Sequence, residues 1–105
     1  MNKKQKIRYN FRESVFKRDK HQCKICKNKN NIDAHHITDR NEMINGGFVI
    51  ENGITLCDTH HIMAEKWHSS YHTEWEDGML PEDLYKLIDS SYELAVKESE
   101  KLTFK

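Results

Sequence analysis

The chain holds three cysteines, and every one of them lies in a short pair typical of metal ligands. Two residues separate Cys23 from Cys26, two separate Cys57 from His60, and 30 residues lie between the pairs. A tight turn can aim both side chains of such a pair at one ion, so the two pairs predict a closed Cys3His zinc site. The alternative, buried thiols beside a surface histidine, does not explain why every cysteine falls in a pair.

The length and cysteine count narrow the class of protein further. A chain of 105 residues predicts a single domain over residues 1–105 with a small core, which often depends on a metal for stability. The odd number of cysteines argues against a disulfide framework and favours a reducing compartment. No apolar run approaches the ~18 residues of a membrane span, and the basic start does not resemble a secretory signal. We therefore expect a cytoplasmic protein without a membrane partner.

The net charge of zero hides an uneven distribution of charge. Residues 1–30 hold 11 Lys/Arg and 2 Asp/Glu, a net of +9, whereas residues 31–105 carry a net of −9. A basic first third can bind a phosphate backbone, which the acidic remainder would repel. The alternative is that the two oppositely charged parts pair with each other.

Periodicity and turn residues predict a small α+β fold. We expect a flexible basic arm over residues 1–9 and a short helix over residues 10–19, with Asn10 as its cap. Three short strands are expected over residues 32–37, 48–50 and 54–56. The pair Asn52-Gly53 is expected to form a turn between the last two strands.

Two further helices are expected in the second half of the chain. One should run from Asp58 through Trp67, because its residues tolerate or favour helix. The other should span residues 81–100, since Pro81 suits a first turn and apolar residues then recur at helical spacing. Residues 68–105 differ in composition and are expected to form a C-terminal extension of the same domain.

Six polar residues remain once the zinc ligands are assigned, and they predict a second, open metal site. Adjacent residues of a strand point to opposite faces, so His35 and His36 cannot both bind one ion. One would bind the ion and the other would face substrate or water. The remaining members of the set are His61, at the predicted helix start, Glu65, four residues later on the same helical face, Asn52 and Asp33.

The combined pattern resembles the HNH endonucleases. Its parts are Cys-x2-Cys at residues 23–26, Asp-x-His-His-Ile at 33–37, Gly-Gly at 46–47 and Asn-x4-Cys-x2-His-His at 52–61. The run Arg12-x2-Val15-x2-Arg18-Asp19 also resembles the helix that precedes this motif in the family. The resemblance covers about residues 11–67. It implies a ββα-metal core with a structural zinc knuckle, flanked by an N-terminal and a C-terminal helix, and metal-dependent hydrolysis of DNA.

The resemblance also implies a role for each matching residue. His36 aligns with the general base that activates water, and Asn52 with the asparagine that braces the loop and helps to orient the base. His35 and His61 align with ligands of the catalytic ion. Glu65 aligns with a third ligand or a hydrogen-bond acceptor beside the ligands, and Asp33 with an acid that orients a neighbouring basic group.

Two departures from the family pattern affect the expected metals. His60 stands where the commonest form has cysteine, and His35 replaces the usual aspartate. The expected cofactors are a structural Zn²⁺ and a catalytic Mg²⁺ or Mn²⁺, with Ni²⁺ and Zn²⁺ as alternatives because imidazole favours the later metals. His68 and His72 are expected to be structural or surface residues.

Three functions remain open from the sequence. The first is a metal-dependent DNA endonuclease, acting as a monomer or a homodimer. The second is a zinc-stabilised nucleic-acid-binding module without catalysis, and the third is a zinc domain that binds protein through its acidic C-terminal helix. The presence of both His36 and His61 favours the first. The small size favours a phage or mobile-element origin, by analogy only.

Overall fold

The computed structural model describes residues 1–104, which form a small α+β fold of four helices and one two-stranded sheet. The helices are α1 (Lys3–Arg18), α2 (Asp58–Ser69), α3 (Pro81–Leu87) and α4 (Tyr92–Glu100). The strands are β1 (Ile32–His36) and β2 (Gly53–Cys57), joined through three short 3-10 turns at Arg40–Glu42, Ile44–Gly47 and Ile50–Asn52. The expected small α+β class is confirmed, and β1, β2 and α2 follow one another along the chain.

The two strands are antiparallel and set the positions of the site residues. Ile32 pairs with Cys57 and His36 pairs with Gly53. Every residue of β2 is buried, because the strand is packed against both α1 and α2. A side chain at Gly53 would collide with Val15 and Phe11 of α1, so glycine permits this close approach.

The expectation of a flexible arm over residues 1–9 is wrong, because α1 begins at Lys3. The side chain of Asn2 accepts a hydrogen bond from the Gln5 backbone N–H at 2.9 Å, and the Gln5 side chain accepts one from the Asn2 N–H at 3.0 Å. This capping box starts the helix, so Asn10 lies inside α1 rather than at its cap. The first turns of α1 are exposed and carry the basic residues.

The expected strand over residues 48–50 and the turn at Asn52-Gly53 are also wrong. Residues 50–52 form a 3-10 turn, and Gly53 is the first residue of β2. Gly46 and Gly47 have φ values of +84° and +67°, which bend the chain before this segment. Phe48 then packs edge-on against Phe11 of α1 at 5.8 Å between ring centroids.

The single helix expected over residues 81–100 is two helices. Asp89 has a φ of +54°, and the Ser91 side chain accepts a hydrogen bond from the Leu94 N–H at 3.1 Å to start α4. Apolar residues keep a helical spacing across residues 84–95, and this spacing hides the break. Two of these residues, Leu87 and Tyr92, are 44% and 49% exposed and do not belong to the core. None of the helices in residues 1–104 is long and apolar enough to cross a membrane.

A buried ion pair joins the end of α1 to the start of β2. Asp19 is 3% exposed and accepts two hydrogen bonds from Arg18, both at 2.8 Å, and one from the Thr55 N–H at 2.9 Å. Arg18 also donates to the carbonyls of Ile50 and Gly53. Burial opposes ionisation of Asp19, but Arg18 and Thr55 outweigh it and lower the pKa of this carboxyl.

Replacement of Asp19 by Asn should destabilise the fold. It leaves Arg18 without its counter-charge, and we expect a loss of about 2–3 kcal/mol, less than for a fully buried pair because Arg18 is partly exposed. Glu13→Gln, at an exposed position of α1, is the control and should change stability by less than about 0.5 kcal/mol. Denaturant unfolding measures both, and equal stability of the two variants would contradict this role for Asp19.

Candidate metal centres

The four predicted zinc ligands lie together. Cys23 and Cys26 come from the turn after α1, Cys57 ends β2, and His60 lies in the first turn of α2. The Cys26 and Cys57 sulfurs are 3.7 Å apart, and Nδ1 of His60 lies 3.7 Å from the Cys23 sulfur and 3.3 Å from that of Cys57. Ligands in a tetrahedral zinc site lie about 3.6–3.8 Å apart, given the Zn–S and Zn–N bond lengths. The group could therefore hold one metal ion such as zinc.

The surroundings of the Cys23 and Cys26 sulfurs shift their pKa values in opposite directions. Burial of Cys23 opposes ionisation, but backbone N–H groups of Cys26, Cys57 and Ile25 outweigh it and lower the pKa of this thiol. For Cys26, the Asn28 N–H favours the thiolate, but desolvation and the neighbouring sulfurs outweigh it and raise the pKa. Adjacent thiolates repel one another, and a metal ion between them would remove that repulsion.

A second group of metal-ligand type lies between β1 and α2. It consists of His35, Glu65 and His68, whose ligand atoms all lie within 4.8 Å of one another. Glu65 and His68 are three residues apart on α2 and therefore share one helical face. A cleft of about 360 Å³ opens beside these two residues, and its other lining residues are Asp39, Asn41, Glu42, Ser69 and Tyr71.

His35 is the most buried member of this second group, at 2% exposed. Its Nδ1 lies 3.3 Å from Oε1 of Glu65, but that contact lacks hydrogen-bond geometry, and neither ring nitrogen has a hydrogen-bond partner among residues 1–104. Burial lowers the pKa of His35, while the Glu65 carboxylate acts in the opposite direction. A buried imidazole without a partner is costly, and a bound metal ion would supply one.

His61 lies beside the second group rather than within it. Its ring centroid is 5.1 Å from that of His35, its Nε2 is 3.6 Å from Oε1 of Glu65, and its Nδ1 is 3.9 Å from Oδ2 of Asp33. The contact with Glu65 raises the pKa of His61, and His35 and His61 together hold the pKa of Glu65 far below its usual value. The structure thus brings together the four residues predicted to surround the catalytic ion.

His36 faces a different environment, as the alternation of strand residues predicts. Its ring stacks on Phe11 at 4.4 Å and meets Phe48 edge-on at 4.8 Å. Its Nε2 is buried without a hydrogen-bond partner in the described part of the chain. Burial lowers the pKa of His36 to about 4, so the imidazole is neutral at pH 7.

Asn52 is fully buried and acts as a brace. Its amide nitrogen donates to the carbonyls of Thr38 and Gly47, both at 3.1 Å. Its side-chain oxygen accepts from the Thr38 N–H at 3.0 Å and the Tyr85 hydroxyl at 2.7 Å. These four bonds use the full capacity of the amide, so any effect of Asn52 on His36 acts through the loop that follows β1.

His68 belongs to the second group, whereas the sequence predicts a structural or surface residue. The signal was present, since residues 61, 65 and 68 are spaced by four and three and so share one face of α2. His72, with the same expectation, is exposed, stacks on Trp67 and lies 3.1 Å from Glu42.

Comparison with known proteins does not assign the chain to a family. No family model matches the sequence, and neither a curated protein nor a solved structure matches it. The resemblance to HNH endonucleases therefore stays a prediction made from the motif.

Substitution of a knuckle ligand should remove the tightly bound metal. We expect His60→Gln to bind zinc at the knuckle at least about 100-fold more weakly and to lose stability, because structural zinc contributes folding energy directly. The control is His21→Gln, an exposed histidine that precedes the knuckle. Zinc content after competition with a chelator, read beside thermal unfolding, is the measurement. Retention of zinc by His60→Gln would show that the Cys3His assignment is wrong.

The lowered pKa of His36 predicts a dependence of stability on pH. The unfolded histidine titrates near ~6.5, so below that pH the unfolded state takes up a proton that the folded state does not. Stability is therefore lost as the pH falls from about 6.5 toward 4. Between pH 7 and pH 5 we expect the wild type to lose about 1–2 kcal/mol more than His36→Phe, which keeps a flat ring but cannot titrate. Equal losses in urea unfolding would contradict this.

Proposed function

We propose that the protein is a metal-dependent endonuclease of the HNH type that hydrolyses DNA phosphodiester bonds. The observation that carries the proposal is the separation of two neighbouring histidines on β1. His35 enters a group of metal-ligand side chains, whereas His36 is half-buried against aromatic rings and neutral at pH 7, and its buried Nε2 has no hydrogen-bond partner among residues 1–104. A purely structural zinc domain has no use for either feature.

The residues of the second group suit the role of holding a divalent ion. Imidazole and carboxylate are ordinary ligands for such ions, and the buried nitrogens of His35 fit a bound metal. A divalent ion supplies polarisation of the scissile phosphate and stabilisation of the leaving oxygen. Mg²⁺ or Mn²⁺ was expected from the sequence, and the knuckle of three cysteines and His60 would hold Zn²⁺.

His36 supplies the base in this proposal. Its neutral imidazole can take a proton from water, and its stacking on Phe11 and its contact with Phe48 restrict the orientation of the ring. Asn52 fixes the loop that begins after β1 and so limits movement of the backbone beside His36.

The exposed basic residues of α1 suit DNA as the partner. Phe11 contacts His36, so α1 lies directly beside the proposed base. Phosphate contacts by Lys and Arg supply affinity that does not depend on DNA sequence. The exposed basic side chains of the helix are Lys3, Lys4, Lys6, Arg8, Arg12 and Lys17.

The same basic helix also favours the second candidate, a nucleic-acid-binding module without catalysis. The two candidates differ in whether a divalent ion gives a cleaved product. A phage or mobile-element origin and action in the host cytoplasm accompany the first candidate as predictions only.

Cleavage of supercoiled plasmid tests the proposed function directly. Protein that retains its knuckle zinc is assayed with added Mg²⁺, Mn²⁺, Ni²⁺ or Zn²⁺ in turn, and with EDTA as the blank. Relaxed or linear product that requires a metal would support the endonuclease, and the order in which the products form would distinguish nicking from double-strand cutting. Binding of DNA without cleavage under any metal would favour the binding module.

Replacement of His36 by Ala should abolish most of the activity while the fold and knuckle zinc remain. Loss of a general base costs a factor of about 10²–10⁴ in rate. His72→Gln, which removes an exposed histidine from the loop after α2, should cleave at the wild-type rate. If His36→Ala also cleaves at the wild-type rate, another group activates water.

A further inference from the structure

We propose that His68 is a direct metal ligand, and that His35, Glu65 and His68 form a site for a divalent first-row transition ion. His61 then lies outside the ligand set and positions Glu65. The role of this ion in catalysis rests on the proposed function, but the binding site can be tested without any nuclease activity. The assignment departs from the ligand pair of His35 and His61 that the motif implies.

The hydrogen bond made by His68 fixes which nitrogen is free to bind an ion. Its Nε2 lies 3.3 Å from the backbone carbonyl oxygen of His36, so Nε2 carries the hydrogen and donates it. Its Nδ1 is then a lone-pair acceptor, and it is buried without a hydrogen-bond partner in residues 1–104. Metal-binding histidines are usually held in this way, with the second ring nitrogen donating to a carbonyl or a carboxylate.

His35 supplies an independent observation at the same place. It is 2% exposed, comes from a different element, and has no hydrogen-bond partner for either ring nitrogen within the described chain. At most one of these nitrogens carries a hydrogen in the neutral ring, so a second buried lone pair is available. Two imidazoles, His35 from β1 and His68 from α2, thus meet beside one carboxylate, and each has a buried nitrogen without a hydrogen-bond partner among the described residues.

The spacing of these groups suits coordination of one ion. Nδ1 of His35 and Oε1 of Glu65 are 3.3 Å apart without hydrogen-bond geometry. Two such ligands at about 2.1 Å from one ion lie about 3.0 Å apart at a right angle and about 3.4 Å apart in a tetrahedron. The contact therefore has the spacing expected of two ligands of one ion.

His61 is placed differently from His68. Each of its ring nitrogens faces a carboxylate, with Nε2 toward Glu65 and Nδ1 toward Asp33. Its side chain is 29% exposed, in contrast to 1% for that of His35. His61 therefore contacts Glu65 by charge rather than by a hydrogen bond, and in this proposal it is a positioning residue.

The donor set indicates the class of ion. Two imidazoles and one carboxylate, with no sulfur, suit Mn²⁺, Fe²⁺, Co²⁺, Ni²⁺ or Zn²⁺ better than Mg²⁺, which prefers oxygen ligands. The cleft beside Glu65 and His68 leaves room for water or a phosphate oxygen on the ion. An open site of this kind contrasts with the closed knuckle.

The direct test is NMR of the histidine ring nitrogens. Protein labelled with ¹⁵N and loaded with one equivalent of Zn²⁺ at the knuckle receives a second equivalent of Zn²⁺. We expect Nδ1 of His68 and one nitrogen of His35 to take the chemical shifts of metal-bound imidazole, while both nitrogens of His61 keep theirs. Metal-type shifts at His61 with none at His68, or no binding of the second equivalent, would overturn the proposal.

Matched variants give a second readout that does not depend on cleavage. His68→Gln should weaken binding of the second Zn²⁺ equivalent by more than about 100-fold, which exceeds the usual cost of losing a residue that only orients a ligand. His61→Gln should weaken it by about 100-fold at most. Mg²⁺ at millimolar concentration should not displace the ion. Equal weakening by both variants would overturn the assignment, provided that both keep the knuckle zinc. Zinc binding as proposed without plasmid cleavage would refute the nuclease and leave this site intact.

Discussion

The Cys3His group is the constraint on which the rest of the structure depends. It brings together the turn after α1 and the junction between β2 and the first turn of α2. A two-stranded sheet is marginally stable by itself, and the buried core of this chain is small. A metal ion in this group would fix the direction in which α2 leaves the sheet, and with it the positions of Glu65 and His68.

The two adjacent histidines of β1 lie in different surroundings. Successive residues of β1 face opposite ways, so His35 meets α2 whereas His36 meets α1. The same division separates two electrostatic environments, since His35 lies beside a carboxylate and His36 among aromatic rings that keep it neutral. One short strand thereby places a member of a metal-ligand group and a neutral imidazole next to each other on opposite faces.

The sequence predicted the features that depend on local spacing and missed those that depend on tertiary contacts. The knuckle ligands and α2 follow from intervals of two to four residues. The cap of α1 at Asn2 precedes a run of charged residues that hid the start of the helix, and the break at Asp89 lies within a continuous helical spacing of apolar residues. The motif implied that Asn52 braces the loop, but its four hydrogen-bond partners, among them Tyr85, could not be read from local spacing. The spacing of His68 from Glu65 indicates a shared helical face, but His68 lies outside the residues that match the motif.

Anomalous X-ray diffraction at the zinc edge, from crystals grown with excess Zn²⁺, would locate the ions at both sites. We expect two ions per chain. One should be surrounded by the three cysteine sulfurs and His60, and the other by His35 and residues of α2, with positions left for water. A single ion at the knuckle, with no density between β1 and α2, would contradict the second metal site. A disulfide in place of the knuckle ion would contradict the first.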